Sequence, residues 1–227
     1  GHKVSVITGN PNYPSGKFVK GYGFKYKKEV YKNIKIYRVP IFSRGNNSIK
    51  LFLNYLSFVF FGSIFSFFHK VKYDKVFAVN YSPITAVLPA IVYCWKNKLQ
   101  LSIWVQDLWP ESVIAASNIK SKFVQKILNK LVKFIYKKSD KIFVSNYGFI
   151  KSITDKGINK EKIYFMPNWA EDIFESNKLE EVSKEKLNIP EGFIIMFAGN
   201  IGEAQDFEAI TEAIELTKND VNIKWVF

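Results

Sequence analysis

Residues 101–112 read L-S-I-W-V-Q-D-L-W-P-E-S. The first five are apolar apart from one serine, which is typical of a strand buried on both faces of a parallel sheet. Asp107 follows two residues after this strand. Ligands of open parallel sheets bind beyond the carboxyl ends of the strands. The stretch therefore predicts an α/β fold with a parallel sheet, and it predicts that a ligand site lies at the carboxyl edge of that sheet.

Short apolar, β-branched runs of the same kind recur along the chain, at 4–8, 34–39, 75–80, 100–105, 141–144, 163–166 and 193–198. Helical patterns fill the gaps between them, over 121–138, 145–155 and about 205–217. Alternating strands and helices predict an α/β protein with a doubly wound parallel sheet.

Charge divides the chain into two parts. The whole sequence has 33 Lys and Arg and 20 Asp and Glu, but residues 168–227 contain 5 Lys and 13 acids. Residues 1–167 therefore carry 28 basic and 7 acidic residues, a net charge of +21. We expect a Rossmann-like domain at 1–167 that faces something anionic, a polar acidic linker at 168–192, and the beginning of a second Rossmann-like domain at 193–227.

Composition excludes several classes of site. Cys94 is the only cysteine, so no internal disulfide forms, and two histidines cannot build a His/Cys metal cluster. Carboxylates alone could bind Mg²⁺, but no motif indicates it, and we expect neither a metal nor a cofactor. Nucleic-acid binding is disfavoured because only two arginines and no recognition motif are present.

Two segments indicate contact with a membrane. Residues 51–68 contain no charge and would form a helix of roughly 27 Å. A true span would place strands 34–39 and 75–80 on opposite sides of the bilayer, so the pattern favours a helix packed on the sheet with some aromatics in the interface. The helix at 121–138 presents basic residues opposite an apolar stripe, either as a solvated face or as a surface for anionic lipid: Lys122, Lys126, Lys130, Lys133 and Lys137.

The two carboxylates of the first stretch each have a structural alternative. Asp107 is either a reactive or orienting group or the N-cap of a helix over 108–117. Glu111 would lie in the first turn of that helix, where a carboxylate meets the helix dipole favourably.

Four ordered segments together resemble bacterial family 4 glycosyltransferases of surface-polysaccharide synthesis, in particular the N-acetyl-fucosamine transferase group. They are V-I-T-G-N-P-N-Y-P-S-G at 6–16, W-V-Q-D-L-W-P-E-S at 104–112, M-P-N-W at 166–169 and A-G-N-I-G-E-A-Q-D at 198–206. The resemblance implies a GT-B fold, in which a first domain holds the acceptor and a second binds the nucleotide-sugar, linked to UDP or GDP. It also implies transfer with retention, without a metal, to a polyprenyl-diphosphate-linked glycan of O-antigen or capsule at the cytoplasmic face of the plasma membrane.

The same resemblance assigns site residues. Asp107 would orient or deprotonate the acceptor hydroxyl, with Glu111 nearby as a substrate-binding group. Asn10, Asn12 and Tyr13 would line the acceptor side, unless they simply form a Pro/Asn turn. The backbone of three loop residues would cradle the donor phosphates, unless the loop is only a strand-to-helix turn: Gly199, Asn200 and Gly202.

The family pattern also predicts that functional elements of the family lie outside residues 1–227. The family's first strand and Gly-rich loop would precede Gly1, and its acidic pair would lie beyond Phe227, so we expect a fragment that is inactive alone. The alternatives are a GT-B nucleotide-sugar epimerase and a non-enzymatic basic protein that binds membranes or nucleic acid.

Overall fold

The computed structural model describes residues 1–117, 119–171, 183–199, 201 and 205–227. They form two compact units. The first comprises residues 1–110 and 122–167, and the second comprises 111–121 and 168–227.

The strands, in chain order, are β1 (Ser5–Gly9), β2 (Lys27–Tyr31), β3 (Ile34–Val39), β4 (Val76–Asn80), β5 (Leu101–Val105), β6 (Lys141–Val144), β7 (Ile163–Phe165), β8 (Phe193–Met196) and β9 (Ile223–Val226). The helices are α1 (Ser48–Phe68), α2 (Leu88–Asn97), α3 (Glu111–Ser117), α4 (Lys122–Lys138), α5 (Gly148–Asp155) and α6 (Phe207–Thr217). Two 3₁₀ turns, Ile84–Val87 and Lys160–Lys162, precede α2 and β7.

The first unit confirms the expected α/β class. Its four central strands run parallel in the order β4-β5-β6-β7, joined by helical crossovers. A separate three-stranded sheet has the order β1-β3-β2, in which β1 is parallel and β2 antiparallel to β3. Four parallel strands joined by helical crossovers are the Rossmann-like architecture that the resemblance implied.

Strand β2 is an element that the sequence analysis missed. Its sequence, K-K-E-V-Y, has three charged residues in five and no continuous apolar run. It is an edge strand with an exposed face, where charged side chains are tolerated and keep other chains from pairing with the edge. Hydrogen bonding to β3, rather than burial, holds it in place.

The core lies around β5 and β6. Ile103, Val105, Ile142 and Val144 are fully buried, which explains why these strands have almost no polar residues. Asp140 anchors the start of β5, because its carboxylate accepts the Leu101 N–H at 2.8 Å and its own N–H donates to the Leu101 carbonyl.

Helix α1 packs on β1 and β3 and, most extensively, on α2. It begins after Asn47, whose side chain accepts the Lys50 N–H at 2.8 Å. It is the one helix of the described residues that is long and apolar enough to cross a membrane, and only 22% of its most apolar window is buried.

The described part of the second unit contains α3, β8, α6 and β9. Strands β8 and β9 pair in parallel, with α6 between them in the chain. Within the expected linker, residues 168–171 and 183–192 contain neither helix nor strand, and 172–182 lie outside the described residues.

Candidate functional site

Asn10, in the loop after β1, is anchored by its amide. Its Nδ2 donates to the carbonyls of Gly23 and Lys25 at 2.8 and 2.7 Å, and the residue is only 2% exposed. Its Oδ1 is buried and has no hydrogen-bond partner among the described residues. Asn10 therefore fixes the loop and has one acceptor left over.

Asn12 and Tyr13 have different surroundings. Asn12 is buried and its Nδ2 donates to the Asn10 carbonyl at 2.9 Å, as in an Asn-stabilised turn. Tyr13 is 70% exposed, and the Arg44 guanidinium lies 5.5 Å from the centre of its ring. The structure thus brings the three predicted loop residues together and adds an arginine to them.

A cleft of about 400 Å³ opens where these residues lie. The loops after β1 and β4 and one side of α1 form its walls, so the carboxyl ends of one strand from each sheet lie here, where α/β folds bind their ligands. Its walls include four polar or aromatic side chains that the sequence analysis missed: Arg44, Asn54, Tyr55 and Ser82. Arg44, the α1 neighbours Asn54 and Tyr55, and Ser82 come from three separate segments, so no single spacing in the sequence could have joined them.

The two arginines of this cleft differ in their charge environment. Arg38 pairs with Glu29 and donates through Nη1 to the Gly9 carbonyl at 3.1 Å. Together with Lys27 and Tyr22, Arg38 holds the pKa of Glu29 at about 2. Arg38 is thereby neutralised, whereas in the described part of the chain no carboxylate pairs with Arg44. Arg44 is the cation available to an anionic ligand.

Asp107 is half-buried, two residues after β5. Its carboxylate makes no hydrogen bond or ion pair with the described residues, and burial raises its pKa. It is not the cap of the following helix, since α3 begins only at Glu111. An acid with a raised pKa and no structural partner is typical of a group that accepts or shares a proton with a ligand.

Asp107 and the cleft occupy neighbouring strand ends. Asp107 does not line the cleft. The Gln106 N–H donates to the Asn80 carbonyl at 2.9 Å and ties the end of β5 to the end of β4. Ser82, in the loop that follows β4, lines the cleft.

Asn80 is a further polar residue at this edge that the sequence analysis missed. It is fully buried, and neither its Oδ1 nor its Nδ2 has a partner among the described residues. The Nε2 of the adjacent Gln106 is likewise buried and unpaired. Buried amides without partners are rare in folded proteins, so they mark this edge as a place where hydrogen bonds remain to be made. The available signal was an asparagine that closes the apolar strand V-F-A-V-N.

The predicted residues of the second unit are less informative. Glu111 is the exposed first residue of α3. Gly199 is exposed, between β8 and α6, and its φ is not left-handed. Asn200 and Gly202 lie outside the described residues. In the described residues no group of three His, Cys, Asp or Glu side chains is arranged to hold a metal ion.

Helix α4 presents the predicted lysines. All five are exposed: Lys122, Lys126, Lys130, Lys133 and Lys137. Three of them line a shallow groove of about 380 Å³ together with Lys156 of the loop after α5. The apolar stripe is buried only in its second half, at Val132 and Ile135, whereas Phe123 at its start is 72% exposed.

Two curated proteins are similar to the chain. One, of Escherichia coli K12, is provisionally named the colanic acid biosynthesis glycosyl transferase WcaI and is 23% identical over 97% of the chain and 56% of its own length. The other, of Pseudomonas aeruginosa, is named the probable glycosyltransferase WbjE and is 29% identical over 51% of the chain and 30% of its own length. No protein-family model matches the chain.

The chain thus spans about half the length of one relative and under a third of the other. The two similarities support a glycosyltransferase family, but they do not reach the N-acetyl-fucosamine transferase group.

Proposed function

We propose that the intact protein transfers a sugar from a UDP- or GDP-linked donor to a lipid-linked glycan acceptor, with retention of anomeric configuration. The observation that carries this proposal is Asp107, a half-buried carboxylate with a raised pKa and no partner among the described residues. It lies at the carboxyl edge of a parallel sheet, where such folds bind their ligands. The names of both relatives support the reaction class.

Asp107 orients the acceptor hydroxyl and takes its proton as the sugar is transferred. Burial raises the pKa of this carboxyl, which makes it a better proton acceptor than an exposed aspartate. The departing nucleotide diphosphate is stabilised by backbone N–H groups of the loop that contains Gly199, Asn200 and Gly202. No metal and no cofactor take part in this proposal.

The acceptor occupies the cleft of the first unit. The Arg44 guanidinium, which pairs with no carboxylate among the described residues, contacts its diphosphate, because a guanidinium matches phosphate oxygens in charge and geometry. The exposed ring of Tyr13 contacts its first sugar, and Asn10 and Asn12 line the acceptor side beside it. Glu111 contributes to substrate binding from α3.

The reaction takes place at the cytoplasmic face of the plasma membrane, within O-antigen or capsule synthesis. The basic face of α4, with the groove beside Lys126, Lys130 and Lys133, attracts anionic headgroups. Each lysine near such a surface contributes about 1 kcal/mol at physiological salt.

The test uses the complete protein with its membranes, a panel of nucleotide-sugars and a polyprenyl-linked acceptor. We expect UDP or GDP release from one donor only when acceptor is present. Asp107→Asn should lower turnover at least about 100-fold, the scale of a lost general base. Asp74→Asn is the matched control, since Asp74 is exposed and precedes β4, and it should keep wild-type turnover.

Two results would contradict the proposal. Wild-type turnover in Asp107→Asn would remove this residue from the site. A folded protein that releases no nucleotide from any donor would exclude transfer. Conversion of a nucleotide-sugar into its epimer without acceptor would instead establish the epimerase.

A further inference from the structure

Helix α1 buries small and polar side chains and leaves large apolar ones exposed. Its buried residues are Asn54, Ser57, Gly62 and Ser66, and the half-buried rings of Phe61 and Phe65 beside them pack on Phe24 and Tyr37. Its exposed large apolar residues form one stripe along the opposite face: Ile49, Phe52, Leu53, Leu56, Phe60, Ile64, Phe67 and Phe68. These outer residues, called the α1 stripe, are 41 to 73% exposed and recur at helical spacing over about 28 Å. A contiguous apolar surface of this size marks a contact with a partner or a membrane.

The orientation of α1 is fixed by its polar side. Asn54 donates to the Phe42 carbonyl at 2.6 Å, and the Phe42 N–H donates to the Ser57 hydroxyl at 3.0 Å. Further along, Gly62 lies against Pro89 of α2, and a Cβ at Gly62 would come within 2.8 Å of the Pro89 ring. Rotation that hides the α1 stripe would break these contacts, so the stripe stays exposed while the unit is folded.

The charges around the α1 stripe indicate an anionic lipid surface as its occupant. No acidic residue occurs between Val30 and Tyr73, and Lys50, Lys70 and Lys72 stand at the two ends of the helix. At the C-terminal end, Lys96 of α2 contacts the Phe67 carbonyl and Trp95 is 72% exposed. Apolar and aromatic residues flanked by lysines and a tryptophan are typical of helices that lie in the membrane interface.

We propose that α1 lies in the plane of an anionic membrane, with the α1 stripe in the acyl boundary and its flanking lysines at the headgroups. A helix in the membrane plane keeps the hydrogen bonds of Asn54 and Ser57 to the loop at Phe42, whereas a helix that crossed the bilayer would lose them. The side of α1 that carries Asn54, Tyr55 and Phe58 lines the cleft, so the cleft opens beside the membrane surface. Delivery of a lipid-linked acceptor to the cleft rests on the proposed function, whereas insertion of α1 does not.

The experiment measures partition of the protein onto vesicles of phosphatidylethanolamine and phosphatidylglycerol, by flotation, without any nucleotide-sugar. The double variant Phe52→Ser/Phe60→Ser should bind about 100-fold more weakly, because each phenylalanine removed from the acyl boundary costs roughly tenfold. Val30→Ser/Tyr31→Ser on β2 is the matched control, with residues as exposed as the two phenylalanines, and should bind like wild type.

A second measurement keeps the inference testable if the double variant folds poorly. A polarity-sensitive fluorophore on Phe60→Cys should shift to the blue when vesicles are added, and the same fluorophore on Val30→Cys should not. Partition at about 1 M salt separates the α1 stripe from the lysines, since salt screens charges and leaves apolar insertion in place. We expect phosphatidylcholine vesicles to bind more weakly at physiological salt and the blue shift to persist at high salt.

Three outcomes would overturn the inference. The first is no binding to anionic vesicles. The second is equal binding of the two double variants with no shift at Phe60, which would leave the α4 lysines as the whole membrane contact. The third is a wild-type dimer that Phe52→Ser/Phe60→Ser dissolves, which would make a second copy the occupant. Vesicle binding without sugar transfer would contradict only the proposed function.

Discussion

Replacement of Ser57 by alanine tests whether the polar side of α1 is structural. Ser57 is 4% exposed, accepts the Phe42 N–H at 3.0 Å and donates to the Asn54 carbonyl at 2.7 Å. Ser63, on the same helix, is partly exposed and has no hydrogen bond from its side chain to the described residues. Ser63→Ala is therefore the same chemical change in the same helix without the contact to Phe42.

The expected difference follows from these contacts. Serine to alanine inside a helix raises stability by about 0.5 kcal/mol through helix propensity, and this gain is common to both variants. Ser57→Ala additionally removes the acceptor of the Phe42 N–H, a partly buried hydrogen bond whose net contribution is about 0.5–1.5 kcal/mol. The free energy of unfolding of Ser57→Ala should thus lie about 0.5–1.5 kcal/mol below that of Ser63→Ala.

Urea unfolding followed by tryptophan fluorescence measures this difference, because Trp104 and Trp109 of the first unit are buried. In a thermal scan the same difference corresponds to a few degrees in Tm. Equal stability of the two variants would refute the reasoning, since it would mean that Ser57 does not hold the loop at Phe42. The orientation of α1 would then be fixed only by the Asn54 hydrogen bond to Phe42 and by the contact of Gly62 with Pro89.

Gly16→Ala should destabilise the protein by about 2 kcal/mol more than Gly21→Ala. Both glycines have positive φ, so the backbone strain is common to the two variants, but a Cβ at Gly16 would lie 2.3 Å from the Gly45 carbonyl oxygen whereas a Cβ at Gly21 would contact nothing within 4 Å. Stability should fall as the pH drops from about 4.5 to about 2, because the pKa of Glu29 is about 2 in the folded state and 4.5 is its ordinary value; Glu29→Gln should be less stable at pH 7 and lose less over that interval. Asp107→Asn should be at least as stable as wild type at pH 7 and lose this advantage below about pH 3, because burial raises the Asp107 pKa and the folded state therefore disfavours the charged carboxylate.

Urea midpoints across the pH range check all three expectations. Equal destabilisation by the two glycine variants would show that the contact with Gly45 relaxes. An unchanged acid slope in Glu29→Gln would mean that other carboxylates dominate it. A loss of stability in Asp107→Asn at pH 7 would reveal a structural partner for this carboxylate.

The amino-acid sequence by itself determined the α/β class and the strands of the central sheet. The runs that became β5 and β6 are apolar because both of their faces are buried, and such continuous patterns are readable without knowledge of any neighbour. The position of Asp107 just beyond a strand end was readable for the same reason. Strand β2 was not, since an edge strand satisfies its backbone through β3 and leaves no burial pattern in its side chains.

Only the tertiary structure decided which residues share the cleft and which face of α1 is outside. Arg44, Asn54 and Ser82 come from separate segments and meet because the ends of β1 and β4 and the side of α1 converge. The uncharged composition of α1 predicted a helix packed on the sheet with some aromatics in the interface, but it did not predict the rotation of the helix, in which Asn54 and Ser57 face inward and the α1 stripe faces outward. The physical reason is the backbone of the loop at Phe42, whose N–H and C=O need hydrogen-bond partners that only the polar side of the helix supplies.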